Sequence, residues 1–392
     1  MIKRNIYSEL DEVLPEKQII VITGMRRVGK TTSVKYLLDK IQSNNKIYFD
    51  LERVEYRILF KETNYQNIIE ALRSEGLDLS QKTFIAIDEI QLVPEITSVI
   101  KYLYDNFDIK FIVTGSSSFY LKNHFTESLA GRKRVIEMQT LGFDEYLLFR
   151  EINAVFEPGV FKKINPIIYN RLLPFYKDYL EYGGFPEVVL SDKKTTKEAL
   201  LKDIINSYLQ IDIKYLADFT KVDEIYKIIT LLTSRVCSKV DYSKLASITS
   251  INRQLIKDYL LFFEQTFLIR QVPAYVKNID REIALQKKLY FTDNGLLNIL
   301  GKVNYSALLE NSIANQLSAL GEVRYYARRN GQEIDFILDG KTAFEVKETP
   351  GSSDVQVLDK RSKQIGINEP YLIGLYHANP NFTDFVWAGD IC

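Results

Sequence analysis

The sequence contains few of the residues that build disulfide frameworks and metal centres. Its 392 residues include two cysteines, two histidines and one tryptophan. Two cysteines far apart in the sequence give no disulfide framework, so we expect a reducing compartment. With so few cysteines and histidines, a structural zinc site is not expected either.

The chain also lacks an excess of charge of either sign. Its 51 lysines and arginines balance 51 aspartates and glutamates, which gives a formal net charge of +0. Because there is no global electrostatic attraction to nucleic acid or to a membrane surface, any such site must be a local patch.

Long apolar stretches are missing as well. No run of about 18 apolar residues occurs, and the first residues, MIKRNIYSELDEV, contain no apolar signal-peptide core. We therefore expect a cytoplasmic protein without a membrane partner. The composition, 46% hydrophobic and 26% charged, is typical of a globular protein long enough for two or three domains.

The most informative stretch is IIVITGMRRVGKTT, residues 19–32. Its apolar start predicts a short buried strand, which is followed by a glycine-rich loop and then a helix. Glycines allow successive N–H groups to surround a phosphate, and the helix adds the positive end of its dipole. In this pattern Lys30 reaches the β- and γ-phosphates, and the Thr31 hydroxyl binds Mg²⁺. The predicted nucleotide-binding residues of this stretch are Gly24, Arg27, Val28, Gly29, Lys30, Thr31 and Thr32.

A second apolar strand, residues 83–87, ends in the carboxylates Asp88 and Glu89. After a phosphate loop, Asp88 is expected to orient Mg²⁺ and Glu89 to polarise the attacking water. The alternative is a buried strand that ends in a solvated acidic turn. A further strand, residues 110–115, brings in Thr114 and Ser116, whose hydroxyls either sense the γ-phosphate or cap the following segment.

A basic cluster, LAGRKR, follows at residues 129–134. Hydrolysis of a γ-phosphate needs added positive charge in the transition state, and arginine often supplies it. Arg132 is the candidate, with Arg134 second, acting either in its own chain or in a neighbour's site. The alternative is a solvated basic face.

The segments GMRRVGKTT, FIAIDEIQ, FIVTGSSS, LAGRKR and LGFDEYL together resemble the AAA+-type ATPases of the archaeal and bacterial "ATP-binding protein" family. The resemblance extends over essentially the whole chain. It implies an α/β sandwich with a parallel sheet that carries the phosphate loop, and a Mg²⁺-dependent ATPase that binds ATP and ADP. The break YGGFPE, residues 182–187, looks like the signature that opens the second half of that family, and serves either as a packing turn or in binding.

Residues 241–275 predict two helices followed by a strand and resemble a winged-helix domain. In nucleic-acid binders the second helix enters the major groove. Its polar residues here are Asn252, Arg253, Gln254 and Lys257. Contact with double-stranded or branched DNA and contact with a protein partner are both left open.

The C-terminal region predicts a helix with Glu310 and three strands, residues 323–327, 333–338 and 342–347. Alternation places Ile334, Phe336 and Leu338 on one face. For Phe344 and Val346 to face the same core, the hairpin loop must have an odd number of residues, and a three-residue loop with a left-handed Gly340 fits.

The same register predicts Asp335, Glu345 and Lys347 together on the other face, where they form a candidate Mg²⁺ or Mn²⁺ site. This set resembles the PD-(D/E)xK nuclease superfamily, and its Holliday-junction-resolvase-like branch best. By that resemblance Glu310, Asp335 and Glu345 hold metal and Lys347 assists catalysis. The alternatives are a solvated acid–lysine pair or a nuclease fold without activity.

These signals divide the chain into an AAA+-type ATPase domain (1–155), a helical connector (156–225), a winged helix (226–275) and a restriction-endonuclease-like α/β domain (276–392). We expect an ATP-hydrolysing protein that couples its nucleotide state to DNA binding or processing. The alternative is a regulatory ATP switch whose C-terminal modules bind a protein partner. A small-molecule kinase is disfavoured, because no acceptor-binding lid is evident.

Overall fold

The computed structural model describes residues 1–116, 129, 131–216, 222–276, 278, 280, 282, 285–328 and 331–391. It divides into two compact units. The first comprises Met1–Gln139, Gln210–Asp218 and Gln265–Phe267, and the second Thr140–Leu209, Phe219–Glu264 and Leu268–Cys392. The boundaries of the four predicted domains stay a prediction. Within the described ranges, no helix combines the length and apolar character that a membrane crossing requires.

The first unit is built on a parallel sheet with the strand order β2-β3-β4-β1-β5. Its strands are β1 (Ile19–Thr23), β2 (Lys46–Asp50), β3 (Thr83–Asp88), β4 (Ile109–Gly115) and β5 (Lys133–Glu137). The central strands β1 and β4 are buried along their whole length. That explains why they read as continuous apolar runs rather than as alternating ones.

Helices cover this sheet. They are α1 (Ile6–Val13), α2 (Lys30–Lys40), α3 (Val54–Lys61), α4 (Tyr65–Ser74) and α5 (Ile96–Asn106). One apolar cluster joins alternate residues of β1, such as Ile19 and Val21, to Leu72 of α4 and Ile100 of α5. A π-helix, Tyr208–Leu216, enters the first unit at residue 210. The predicted α/β architecture with a parallel sheet is confirmed for this unit.

The second unit contains a two-stranded antiparallel sheet and a larger mixed sheet. The small sheet pairs β6 (Ile269–Val272) with β7 (Lys288–Phe291). The larger sheet has the order β12-β11-β10-β9-β8, in which β8, β9 and β10 are antiparallel and β10, β11 and β12 are parallel. Its strands are β8 (Val323–Ala327), β9 (Glu333–Leu338), β10 (Thr342–Lys347), β11 (Glu369–Gly374) and β12 (Val386–Trp387).

The second unit combines helices with an aromatic core. The helices are α6 (Phe143–Phe149), α7 (Pro166–Tyr182), α8 (Pro186–Val189), α9 (Lys194–Ser207), α10 (Val222–Thr233), α11 (Tyr242–Thr249), α12 (Arg253–Gln265), α13 (Asn294–Gly301), α14 (Tyr305–Leu320) and α15 (Ser352–Ile365). Trp387 is fully buried and makes edge contacts with the rings of Phe143, Tyr169 and Tyr176. Such edge-to-face pairs add to the stability that burial of large rings provides.

The β9–β10 hairpin confirms the predicted loop and corrects one predicted face. Leu338 pairs with Thr342 across a three-residue loop, and Gly340 has a φ of 70°. Ile334, however, packs in a cluster with Ile337 rather than with Phe336. The prediction for Ile334 is wrong because the β8–β9 register shifts between Arg324 and Tyr326, and the extra residue in β9 reverses the alternation.

The YGGFPE break is a site of close packing. The N–H of Gly184 donates to Oδ2 of Asp293 at 2.8 Å. A Cβ atom on Gly184 would lie 2.3 Å from the carbonyl oxygen of Leu141, and one on Gly295 would lie 2.1 Å from that of Tyr182. Only glycine fits where two backbones approach this closely, which favours the packing-turn interpretation of the break.

Candidate nucleotide site and a second acidic site

The phosphate loop connects β1 to α2 in the backbone conformation that its glycines permit. Gly24 and Gly29 have φ values of 150° and 104°. A Cβ atom on Gly24 would lie 2.1 Å from the carbonyl oxygen of Met138, so a larger residue would displace the loop. The buried guanidinium of Arg4 donates to the carbonyl oxygen of Val28 at 2.9 Å and so fixes the backbone of the loop.

Lys30 begins α2 and is 4% exposed. Its ammonium donates to the carbonyl oxygens of Gly24 and Met25, both at 3.0 Å. Burial lowers the pKa of Lys30 below its ordinary value, although the nearby Glu89 opposes the shift. A phosphate in the loop would replace these carbonyl groups as the acceptor for the ammonium and would stabilise its charge.

Asp88 at the end of β3 is held by hydroxyl groups. Thr31 Oγ1 donates to its Oδ2 at 2.6 Å, Tyr48 OH donates to the same oxygen at 2.8 Å, and Thr114 Oγ1 donates to Oδ1. A hydroxyl oxygen beside a carboxylate is the hard oxygen donor set that Mg²⁺ prefers. Thr31 and Asp88 therefore fit the magnesium ion that accompanies a nucleoside triphosphate.

Glu89 follows with a φ of 57°, a left-handed conformation that is uncommon outside glycine. Its N–H donates to Thr114 Oγ1 at 3.0 Å, so Thr114 orients both acidic residues. The carboxylate of Glu89 accepts a hydrogen bond from Gln91 and lies 3.7 Å from the guanidinium of Arg26. Non-glycine residues in this conformation often mark functional sites.

A further carboxylate, Asp212, lies at the same site. It is 2% exposed, and Arg26 Nε lies 3.1 Å from its Oδ2. Ser116 Oγ donates to Asp212 Oδ1 at 3.1 Å and accepts a hydrogen bond from Gln91 at 3.0 Å. Burial raises the pKa of Asp212 to about 6, and the positive charge of Arg26 limits that rise.

Most of the predicted nucleotide residues come together at the carboxyl ends of β1, β3 and β4. The residues joined by the contacts above are Lys30, Thr31, Asp88, Glu89, Thr114 and Ser116. Of the other loop residues, Val28 is buried, whereas Arg27 and Thr32 are exposed. Sequence reasoning missed Arg4, Arg26, Tyr48, Gln91 and Asp212. The position of Gln91, two residues after Glu89, is a local signal for it, whereas the sequence around Asp212 contains none.

The structure places Arg132 away from this site. β5 runs parallel to β1 with Lys133 opposite Ile19, so Arg132 lies at the end of β1 that is remote from the loop, about 13 Å along the strand. Its guanidinium forms an ion pair with Asp105 at 2.9 Å, and Arg134 lies 3.7 Å from Glu9. Arg132 and Lys30 thus lie beyond opposite ends of β1, so a role for Arg132 at Lys30 of its own chain is wrong. The predicted role in a neighbour's site and the solvated basic face are both left open.

In the second unit, a buried lysine lies among carboxylates. Lys288 is 4% exposed, and its ammonium lies 2.5 Å from Glu333, 3.4 Å from Glu310 and 3.9 Å from Asp335. Burial alone would lower the pKa of Lys288, but these carboxylates raise it above its ordinary value. Burial and the charge of Asp335 raise the pKa of Glu310 to about 7.

Glu345 lies beside Asp335 but has other partners. Its Oε1 accepts a hydrogen bond from Lys347 at 2.8 Å and lies 3.8 Å from Arg361. Its Oε2 is buried and finds no hydrogen-bond partner among the described residues. Burial first, and then the charge of Asp335, raise the pKa of Glu345, and burial also raises that of Asp335.

These carboxylates do not form a ready-made metal centre. In the described part of the chain, no three histidine, cysteine, aspartate or glutamate side chains are grouped so as to hold a metal ion. Glu310 binds Lys288 and Tyr290, whereas Glu345 binds Lys347. As they stand, these carboxylates are engaged by lysines and a tyrosine, and metal binding by Glu310, Asp335 and Glu345 stays a prediction.

Helix α12 presents a polar surface. Asn252 at its start, and Arg253, Gln254 and Lys257 within it, are exposed, whereas Ile256 is buried. The helices α11 and α12 are followed by β6, which pairs with β7. This order is the one expected for a winged helix, and that assignment stays a prediction.

Comparison with known families defines the class of the first unit. Residues 16–147 match the model of the AAA domain, and residues 174–307 match that of a domain of unknown function. Residues 16–147 are therefore similar to AAA domains, as the motifs predict. The winged-helix and nuclease-like predictions have no counterpart among these matches.

Two uncharacterized relatives match most of this chain. An uncharacterized protein of Methanocaldococcus jannaschii is 26% identical over 386 residues, which cover 94% of this chain and 83% of the relative. An uncharacterized protein of Haemophilus influenzae is 28% identical over 374 residues, which cover 90% of this chain and 89% of the relative.

Two solved structures from Aeropyrum pernix are also similar. The ORC2 protein in its ADPNP–ADP complexes is 13% identical with a TM-score of 0.46, and the match covers 76% of this chain and 93% of that one. The ORC1 protein in complex with DNA is 12% identical with a TM-score of 0.36, and the match covers 76% and 92%. At these scores the likeness carries no functional assignment.

Proposed function

We propose that this protein is a Mg²⁺-dependent ATPase whose nucleotide state controls the activity of its second unit. The observation that carries the proposal is the convergence of Lys30, Thr31 and Asp88 at one end of a parallel sheet, with Thr31 Oγ1 2.6 Å from Asp88. A phosphate loop, a hydroxyl and a strand-end carboxylate in this relation are the parts of a nucleoside-triphosphate site.

Each residue has a defined role in this proposal. The loop N–H groups and Lys30 bind the β- and γ-phosphates. Thr31 and Asp88 would hold the Mg²⁺ that accompanies ATP, whose charge would offset that of the phosphates. Glu89 accepts the proton of the attacking water, and Gln91 and Thr114 hold Glu89 in place through its side chain and its backbone.

A binding experiment tests the nucleotide site. ATP affinity is measured by calorimetry for the wild type, for Lys30→Ala and for Lys35→Ala, which removes an exposed lysine from the same helix. Lys30→Ala weakens ATP binding at least about tenfold, since it removes a charge-assisted contact to phosphate, while Lys35→Ala leaves it unchanged. Equal affinity of all three proteins contradicts the assignment.

The target of the second unit is proposed to be DNA, either double-stranded or branched. Support comes from the exposed Arg253 and Lys257 on α12, which stand where a winged helix contacts phosphates and base edges. Affinity for a DNA duplex is measured at increasing salt. True phosphate contacts weaken binding steeply as salt rises, whereas absence of binding at low salt favours the alternative, a protein partner.

A nuclease is the second candidate function. The buried Oε2 of Glu345, which has no hydrogen-bond partner among the described residues, favours it, because a metal ion or water would satisfy this oxygen. Cleavage of linear and branched DNA is assayed with Mg²⁺ or Mn²⁺ for the wild type and for Asp335→Ala. Cleavage by the wild type that is lost in Asp335→Ala supports the nuclease. Absence of cleavage by the wild type contradicts nuclease activity.

A further inference from the structure

Asp212 reaches the nucleotide site from a distant part of the sequence. The stretch Gln210–Asp218 belongs to the first unit, although the chain on either side of it, Thr140–Leu209 and Phe219–Glu264, belongs to the second. Asp212 lies in the π-helix Tyr208–Leu216. π-Helical turns are rare and often occur at functional sites.

The counter-ion of Asp212 is an arginine of the phosphate loop itself. Arg26 lies in the loop between Gly24 and Lys30, and its Nε is 3.1 Å from Asp212 Oδ2. The other end of the same guanidinium lies 3.7 Å from Glu89. Nη1 of the same guanidinium also lies 4.0 Å from Oε1 of the exposed Glu52. One cation thus serves three carboxylates, and any further anion at this point competes with them.

These contacts close a ring around the candidate catalytic glutamate. Arg26 joins Asp212 to Glu89, Glu89 accepts from Gln91, Gln91 donates to Ser116, and Ser116 donates to Asp212. Since every member has two neighbours in the ring, withdrawal of Arg26 breaks the ring at both carboxylates. Asp212, 2% exposed, then retains only a neutral donor within the ring.

We propose that the terminal phosphate of ATP competes with Asp212 for Arg26, so that Asp212 reports to the chain whether ATP or ADP is bound. The inference rests on the proposed ATP site. Guanidinium binds phosphate through parallel hydrogen bonds, and the γ-phosphate, which ADP lacks, adds negative charge beside the loop. Burying a carboxylate without its cation is unfavourable, so binding of ATP favours local opening of the π-helix that contains Asp212. With ADP, Arg26 and Asp212 stay paired and the π-helix stays closed.

The structural alternative is a static brace, in which Arg26 and Asp212 remain paired in every nucleotide state. Hydrogen exchange of the full-length wild type separates the two, measured without nucleotide, with ADP and with a non-hydrolysable ATP analogue. We expect amides in residues 208–216 to exchange at least about threefold faster with the analogue than with ADP, as local opening grows. Equal exchange in both states identifies a static brace and overturns the proposal.

Nucleotide affinities of a charge-neutral variant give an independent test. Asp212→Asn removes the competing charge, so ATP affinity rises about tenfold while ADP affinity changes less than about twofold. Asp39→Asn, on the exposed side of α2, is the matched control and leaves both affinities unchanged. An unaltered ratio of ATP to ADP affinity in a folded Asp212→Asn protein also overturns the proposal.

Failure of the underlying ATP site is distinguishable from failure of this inference. If the wild type does not bind ATP, or Lys30→Ala binds it equally well, the nucleotide site itself is wrong. If ATP binding depends on Lys30 but neither hydrogen exchange nor the affinity ratio responds, only the role of Asp212 is wrong. Should Asp212→Asn not fold, the exchange experiment on the wild type decides.

Discussion

Thr31 and Asp88, 57 positions apart in the sequence, are joined by a hydrogen bond of 2.6 Å. The bond connects the first turn of α2 to the end of β3. It places a hydroxyl and a carboxylate where Mg²⁺ bound to a nucleotide would find both.

The first prediction concerns this pair. Asp88→Asn lowers the charge beside the metal, so the Mg²⁺ concentration that gives half-maximal ATP turnover rises at least about tenfold. A magnesium titration of phosphate release measures it. Asp39→Asn, an exposed aspartate of the same unit, serves as the control and leaves the midpoint unchanged. A midpoint that Asp88→Asn does not move would remove Asp88 from the metal site.

The second prediction concerns the break after α7. Gly184→Ala destabilises the protein by about 1–3 kcal/mol, because its Cβ would lie 2.3 Å from the carbonyl oxygen of Leu141. Gly351→Ala is the matched control, since the nearest atom to its Cβ, Asp354 Oδ2, lies at 3.7 Å. Urea unfolding of both variants measures the difference. Equal stabilities would mean that the backbones at Gly184 and Leu141 are further apart.

The third prediction concerns Lys288. Lys288→Met leaves the carboxylates of Glu310 and Asp335 buried without their cation and costs about 3–5 kcal/mol of the free energy of unfolding. Lys287→Met replaces the exposed neighbour and has little effect. Denaturant unfolding compares the two. A stable Lys288→Met protein would show that these carboxylates do not depend on the lysine.

The fourth prediction is a pH dependence. The pKa of Asp212 is about 6 in the folded protein and has an ordinary value of 3.8 in the unfolded chain. Between these values the folded state binds the extra proton, so stability relative to Asp212→Asn falls by up to ~1.4 kcal/mol per unit as pH rises from about 4 to about 6. Unfolding of both proteins across this range measures the slope. If the stability of the wild type relative to Asp212→Asn instead rises with pH, the charge of Arg26, rather than burial, controls the pKa of the Asp212 carboxyl group.

Local pattern was sufficient for the features that depend on neighbouring residues. The loop around Lys30, the strand that ends at Asp88 and the three-residue turn at Gly340 follow from spacing and backbone preference. The position of Arg132 could not be predicted, because it depends on which strand lies beside β1 and in which direction.

Features that depend on the path of the whole chain left no local signal. Asp212 lies beside Arg26, 186 positions away in the sequence, only because its stretch belongs to the first unit. The alternation predicts the wrong face for Ile334, because a bulge in β9 reverses the alternation without changing the apolar pattern. Lys288 was predicted only as part of a strand, since the carboxylates that surround it come from α14 and β9.

The central claim is that Glu89 activates water at an ATP site. Phosphate release is measured at saturating ATP and Mg²⁺ for the wild type, Glu89→Gln and Glu95→Gln, an exposed control nearby. The account predicts that Glu89→Gln still binds ATP but loses at least about 100-fold in turnover, while Glu95→Gln equals the wild type. Turnover by Glu89→Gln at the wild-type rate, or a wild type that binds ATP without hydrolysing it, would contradict the account.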